Sequence, residues 1–396
     1  MESCLGRKPG IGTEGFEMKI EILGAGPENK GAYLMLMAVI EKLSRSLPDA
    51  SFAIRSKKKV EEWNPGELNL FLKPPLSENP VGNLALKLRY GRKTDQRRHM
   101  ILDPEIDMVL DASGFKYSDQ FGALGTWRRA KRIARWKKSG KKVVLLPQAF
   151  GPFEIPRVRE SIELIADHAD LICPRDQESF DHLVKVLGHR DNIKIFPDFT
   201  NTLPGSLPEY FHIQKPRTCL VPNTQMILKT PETIKKSYVP FFCKCARYLK
   251  EIGLNPFILL HDVPMDRPLA AEISEASGFP LEIIEDENPL YLKGIIGSCQ
   301  LLVGSRFHSL ISALSQGVPA IATGWSHKYE HLFKDYGCPE FLISNLDFEA
   351  EALPKLNLLT GENYREGVVS TLIASSRVEK QKTEQMWTEV EKILSA

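Results

Sequence analysis

Leu301-Leu302-Val303-Gly304-Ser305-Arg306-Phe307-His308-Ser309 decides the fold. Its first four positions are apolar or small, enough for a buried strand, and helix-forming residues follow without a spacer. An apolar run that passes straight into an amphipathic stretch is the strand-to-helix junction of a βα unit. Upstream, Asp170-Leu171-Ile172-Cys173-Pro174-Arg175-Asp176 repeats the design: an apolar run, a proline stop, then Asp176 as a helix N-cap. Downstream, Ala320-Ile321-Ala322 leads to Gly324 and Ser326-His327-Lys328.

The same alternation runs the length of the chain. In the first half the pattern predicts strands at 19–23, 51–54, 108–110, 143–146, 171–173 and 193–196, with helices at 32–47, 127–138, 156–166 and 177–187. In the second half it predicts strands at 218–221, 256–260, 281–284, 301–304, 320–322 and 340–342. The helices between them fall at 230–252, 266–277, 289–298, 307–316 and 328–336. Strands and helices in alternation give an α/β fold with parallel sheets, and 396 residues are enough for two domains. Residues 1–17 are Gly-rich, lack an apolar signal core and read as a disordered leader. The first domain is expected at 18–203, with a proline-bearing, loop-rich insertion at 61–100. Proline and glycine between 197 and 216 suit an exposed linker, placed at 204–216. The second domain follows at 217–345, then a helical tail at 346–396, which by fold-level analogy returns to the first domain.

Lys+Arg 52 against Asp+Glu 50 leaves too little net charge for a general nucleic-acid binder. One local excess stands out, nine cations between Arg128 and Lys142. It reads as a solvated helix face, with an anionic lipid or acidic polymer as the alternative contact. The seven cysteines have no metal-ligand or disulfide-framework spacing, and most sit in apolar runs as reduced thiols. No apolar stretch approaches the length of a membrane span.

In open parallel sheets ligands bind at the carboxyl ends of strands, where helix N-termini favour anions. The residues there are therefore the candidates. Arg306 and His308 fall on the first turn after a strand: a guanidinium fork suited to carboxylate or phosphate, and an imidazole able to hold an anion or pass a proton. The alternative is that Arg306 pairs with a structural carboxylate and His308 caps locally. Arg175 has the same placement. Asn29, in the Gly24–Gly31 loop, Gly114, after the strand ending near Leu110, and Ser326, His327 and Lys328 complete the set. Pro27 breaks any dinucleotide fingerprint, so a nicotinamide cofactor is not expected. His261-Asp262 has no visible third ligand, so no metal is expected. Hydrolase, zincin and P-loop motifs have no match.

Taken in order, these segments resemble the polysaccharide pyruvyl transferases. Gln148-Ala149-Phe150-Gly151-Pro152 resembles that family's Gln-x-x-Gly-Pro turn, and Arg175-Asp176-Gln177-Glu178-Ser179 its Arg-Asp-x-x-Ser. Arg306-Phe307-His308 resembles its Arg-Leu-His helix start, with Gly317-Val318-Pro319 and Ser326-His327-Lys328-Tyr329-Glu330 following. The likeness covers about residues 18 to 345. It implies two Rossmann-like domains in a glycosyltransferase-B-type arrangement, phosphoenolpyruvate as donor, no cofactor or metal, and a sugar acceptor, polymeric, lipid-linked or nucleotide-linked. It also implies that Arg175, Arg306, Phe307 and His308 serve the donor, the two arginines clamping one anion each. The setting expected is cytoplasmic, with peripheral contact at the inner membrane face. Two rivals use the same fold: a nucleotide-sugar glycosyltransferase, and a non-catalytic sugar-binding or scaffold relative.

Overall fold

The described strands of this protein are two to nine residues long, and the central ones are buried on both faces, as parallel strands covered by helices must be. The computed structural model describes residues 18–55, 69–90, 100–212, 217–324, 326 and 328–395. The expected leader 1–17 and the expected site residue His327 lie outside them. The chain divides into two units. One holds 1–28, 35–195 and 388–396; the other holds 29–34 and 196–387.

The first unit begins with β1 (Lys19–Leu23), followed by α1 (Lys30–Ser46), β2 (Ser51–Ile54), β3 (Leu70–Leu72) and α2 (Pro80–Tyr90). Then come β4 (Met108–Asp111), β5 (Phe115–Tyr117), α3 (Ala123–Lys138), β6 (Lys142–Phe150), α4 (Pro156–Ala166), β7 (Leu171–Pro174) and α5 (Gln177–Leu187). Its parallel strands run in the order β3-β2-β1-β4-β6, with β7 beyond β6 and β5 paired to the far end of β6. Order reverses between β1 and β4, whose registers match from Ile20↔Met108 to Leu23↔Asp111.

The second unit comprises β8 (Thr218–Val221), α6 (Thr224–Lys229), α7 (Glu232–Glu251), β9 (Pro256–Leu259), α8 (Val263–Ala276), β10 (Ile283–Ile284) and α9 (Pro289–Gly297). After these come β11 (Leu301–Gly304), α10 (Phe307–Leu314), β12 (Ala320–Ala322), α11 (Lys328–Asp335), α12 (Leu353–Thr360) and α13 (Glu362–Ser395). The sheet order β10-β9-β8-β11-β12 repeats the first unit's pattern and reverses between β8 and β11. Both sheets are Rossmann-like, so each has a switch point, the place where a crevice can form between neighbouring loops.

Several expectations are corrected. The loop-rich insertion contains β3, a 3-10 turn at Pro75–Glu78 and α2. Residues 196–203 group with the second unit, and the start of the proline-rich stretch is no exposed linker: Phe199 is fully buried against Trp387. The strand expected at 340–342 is a 3-10 turn at Pro339–Phe341 with one bridge, Ala322 to Leu342. The tail is divided. Ser376 and Lys380 donate to the Ser315 carbonyl in the second unit, and only 388–396 group with the first, where Lys194 pairs with Glu389 at 2.5 Å. Six cysteines, from Cys173 to Cys338, are free and buried, as their apolar surroundings predict.

Candidate functional site

At the second unit's switch point a cavity of about 140 Å³ opens among Asn29, Asn223, His261, Arg306, His308 and Lys328. Four strand ends build it. Asn223 follows β8 and caps α6 by accepting from the Gln225 amide at 3.0 Å. Its Nδ2 donates to the Ser305 carbonyl at 2.9 Å, tying the loop after β8 to the loop after β11. The hydroxyl of buried Tyr238 lies 2.6 Å from Ser305 Oγ and accepts from the Asn223 amide at 2.9 Å. Tyr329 closes the set, its hydroxyl donating to the Ser305 carbonyl at 2.9 Å. These bonds fix the backbone from which Arg306 and His308 project.

Arg306 is the N-cap residue of α10, with extended backbone. It was expected as an open fork for a ligand anion, and the structure corrects this. Nε donates to Asp266 Oδ2 at 2.8 Å and Nη2 to Asp266 Oδ1 at 2.5 Å, while Nη1 stands 3.5 Å from Asp262 Oδ2. Asp266 has no solvent exposure and also accepts from the Thr224 amide at 3.0 Å. The pairing is therefore bidentate and buried, and the alternative reading of Arg306 holds for two of its donors.

His308 lies one residue into α10, its Nε2 3.7 Å from Asp198 Oδ2. Gly31 packs against the other side of the ring: a Cβ there would stand 2.4 Å from His308 Nδ1. Asn29 accepts from the Gly31 and Ala32 amides at 3.0 and 3.2 Å and donates to Asp262 at 3.4 Å. Thus the start of α1 forms part of this site. Lys30 is nearly buried and donates to the Glu287 carboxylate at 2.8 Å. Phe307 is buried edge-on to both His308 and Tyr329, with Lys328 Nζ 5.0 Å from its ring centre. Ser326 Oγ is buried and makes no hydrogen bond to the described residues.

His261, which the sequence marks only as part of an incomplete metal-ligand set, lines the cavity. It ends β9, is 6% exposed, and its Nε2 has no hydrogen-bond partner among the described residues. Burial first, then the neighbouring charges of Arg306, His308 and Lys30, pushes its pKa down to about 3. It is neutral at physiological pH and offers a hydrogen bond, not a charge.

The remaining expected residues belong to the first unit. Arg175 follows β7, is buried, and its amide donates to the Gln148 carbonyl at 3.1 Å. Asp176 caps α5 by accepting from the Ser179 amide at 2.7 Å, as its position predicts. Gly114, at φ +71°, follows β4 and takes a backbone conformation that favours glycine. Among the described residues no group of three or more His, Cys, Asp or Glu side chains is arranged to hold a metal.

All of the site except Lys328 and Tyr329 lies inside the span of a known family. The polysaccharide pyruvyl transferase profile matches residues 29–327, three quarters of the chain. The amylovoran biosynthesis protein AmsJ of Erwinia amylovora is 34% identical over 86 residues, 21% of this chain and 20% of AmsJ, so the match spans about a fifth of that relative. Among solved structures, HepE of Anabaena in complex with UDP-glucose covers 96% of this chain and 100% of its own, at TM-score 0.56 and 13% identity. An α,α-trehalose-phosphate synthase from Burkholderia vietnamiensis aligns over 97% of this chain and 100% of its own, at TM-score 0.54 and 9% identity. At such identities the likeness establishes the fold alone, and it agrees with the glycosyltransferase-B fold class expected from the sequence. No helix among the described residues is long and apolar enough to cross a membrane. With three quarters of its length matched, the chain belongs to the polysaccharide pyruvyl transferase family.

Proposed function

We propose that the protein moves the pyruvyl group of phosphoenolpyruvate onto two hydroxyls of one sugar in a polysaccharide or its precursor. The product is a pyruvate ketal, with inorganic phosphate released. A proton adds to the methylene carbon, and positive charge develops at the adjacent carbon. One sugar oxygen attacks that carbon. A second sugar oxygen displaces the phosphate, which leaves with the carbon–oxygen bonding pair. Of the two hydroxyl protons, one balances the new methyl group and the other leaves with phosphate.

The observation that carries this reading is the small cation-lined cavity itself. At about 140 Å³ it falls below the ~300–1,000 Å³ of pockets that take drug-sized ligands. A compact trianion fits that scale better than a nucleotide sugar does. His308 is assigned proton delivery or phosphate contact, since the Asp198 carboxylate 3.7 Å away favours its protonated form. His261, depressed to about 3, holds no proton to give near neutral pH. Lys328 and Arg306, both lining the cavity, supply the positive charge. Asn29 lines the pocket at the start of α1. The reaction needs no cofactor beyond the donor, and its setting is the cytoplasm, where phosphoenolpyruvate is available.

The test is phosphate release from phosphoenolpyruvate by the full-length protein with candidate glycans. Release that depends on the acceptor, and falls about 10²-fold in His308→Gln with folding intact, is expected. Thermal stabilisation by uridine diphosphate but not by phosphoenolpyruvate overturns the reading in favour of a glycosyltransferase. Glycan binding without turnover would assign a scaffold role instead.

A further inference from the structure

Helix α2 turns its apolar side outward. Val81, Leu84, Ala85 and Leu88 follow the i, i+3, i+4, i+7 spacing that forms one stripe of a helix. In a sheet-covering helix that stripe faces the core. Here Gly82, Asn83 and Leu86 face inward, while Val81 is 79%, Leu84 58% and Leu88 78% exposed. Leu76, in the preceding 3-10 turn, is 61% exposed and extends the patch. Isolated exposed leucines are ordinary; four on adjoining turns of one surface mark an interaction site.

Among the described residues, the exposed charge on the two helices beside the patch has one sign. Helix α2 contains no acidic residue and carries exposed Lys87. Neighbouring α3 contains none either, and it exposes Arg128, Lys131, Arg135 and Lys138, spaced i, i+3, i+7, i+10 along one face. Its other two arginines turn inward, Arg129 toward Asp111 at 3.4 Å and Arg132 to Glu78 at 3.0 Å. A cavity of about 840 Å³ joins the helices, with Leu84, Lys87, Arg135, Lys141 and Lys142 among its lining. Of the acids that line it, Asp103 pairs with Lys73 at 2.6 Å and Glu78 with Arg132 at 3.0 Å, while Asp107 keeps its charge and accepts from the Lys19 amide at 2.8 Å. Among the described residues, what faces outward is thus leucine together with an excess of cation, Lys87, Arg135 and Lys138 against Asp107.

We propose that this face docks the protein peripherally on an anionic lipid surface. Leu76, Val81, Leu84 and Leu88 enter the acyl boundary, and Lys87, Arg135 and Lys138 meet headgroup phosphates. A protein partner is the poorer fit, because protein interfaces are depleted of lysine, whereas an interfacial membrane helix pairs basic residues with an apolar stripe. The face also lies where β1, β4 and β6 begin, since Met18, Asp107 and Lys141 line the cavity. Docking there leaves the opposite edge of this sheet, with Gly114 and Arg175, clear for ligand. The proposal stands apart from the donor chemistry and survives if that reading fails.

Co-sedimentation of the full-length protein with vesicles tests it. Binding is expected to vesicles containing about one-third phosphatidylglycerol and not to pure phosphatidylcholine, and it should weaken as salt rises. The pair Leu84→Glu with Leu88→Glu, both on the surface, should melt like the parent and lose binding. The pair Arg135→Glu with Lys138→Glu should lose at least roughly tenfold, from about fivefold per cation removed. Absence of parent binding at low salt, or either pair binding like the parent, overturns the proposal. So does a concentration-dependent dimer that Leu84→Glu with Leu88→Glu abolishes, which would assign the stripe to a second copy.

Discussion

The two sheets reverse their strand order at equivalent places and put opposite chemistry there. After β1 and β4 the first unit places Gly24 and Asp111. A Cβ on Gly24 would meet Ser113 Oγ at 2.3 Å, so the two loops touch. Asp111 is buried and its acceptor sites are taken up locally: it accepts from Ser113 Oγ at 2.5 Å and Tyr117 Oη at 2.6 Å, and stands 3.4 Å from Arg129. After β8 and β11 the second unit places Asn223, Arg306 and His308 around an open cavity. A shared strand order fixes where a crevice can form; the residues just past the strands decide whether it is closed by an internal carboxylate or kept open and basic.

The largest expected effect tests whether the two buried aspartates do the same work. Asp266→Ala removes the carboxylate that holds Arg306 and leaves a guanidinium buried at the cavity wall, at a cost of about 3–5 kcal/mol. Activity per folded molecule should fall as well. Asp111→Ala leaves the Tyr117 hydroxyl without its acceptor and Arg129 without its carboxylate, but that ion pair is a single 3.4 Å contact and not a bidentate one, so the cost should lie at the lower end, about 3 kcal/mol. Urea unfolding alongside turnover measures both. If Asp266→Ala retains full turnover per folded molecule, Arg306 needs no fixed orientation and the contrast between the sites collapses.

Next in size is Gly31→Ala. The added methyl would stand 2.4 Å from His308 Nδ1, so the ring must move or the start of α1 must shift. A loss of about tenfold in kcat is expected, since small misplacements of a reacting group are costly. Stability should change less than in Asp266→Ala. The same substitution at Gly114, where the nearest atom is Met35 Cε at 3.5 Å, meets no such ring, and its cost arises from positive φ alone.

The parts of this contrast that were readable in the sequence are local. Helices α4 and α5 were bounded to the residue, because Pro156 opens one and Asp176 caps the other. Arg306 and His308 were placed by the apolar run ahead of them. Their partners were not legible. Asp266 lies 40 residues before Arg306 and Asp198 lies 110 before His308, and single-sequence pattern carries no signal for pairing at that range. Helix α2 was missed because its apolar stripe serves no core, and prolines at 74, 75 and 80 read as loop. Phe199 was missed for the converse reason: it is buried in an irregular stretch between prolines 197 and 204, where no periodicity marks it.

The smallest expected effect, a pH dependence, sharpens the account of the open site. His261 is held neutral in the folded chain, its pKa down from 6.5 to about 3 by burial and by the cations around it. The unfolded chain binds the proton first, so the contribution is fully present above pH 6.5. It is lost as pH falls toward about 3, at up to ~1.4 kcal/mol per unit. His261→Gln keeps a neutral hydrogen-bonding group but has nothing to protonate, so its stability should fall less steeply between pH 6.5 and pH 5.5. The difference between the two slopes, measured by urea midpoints, isolates this one ring from the other histidines. Parallel slopes would mean that water reaches the ring and that the cavity is not the desolvated, cation-lined site that a small anionic donor requires.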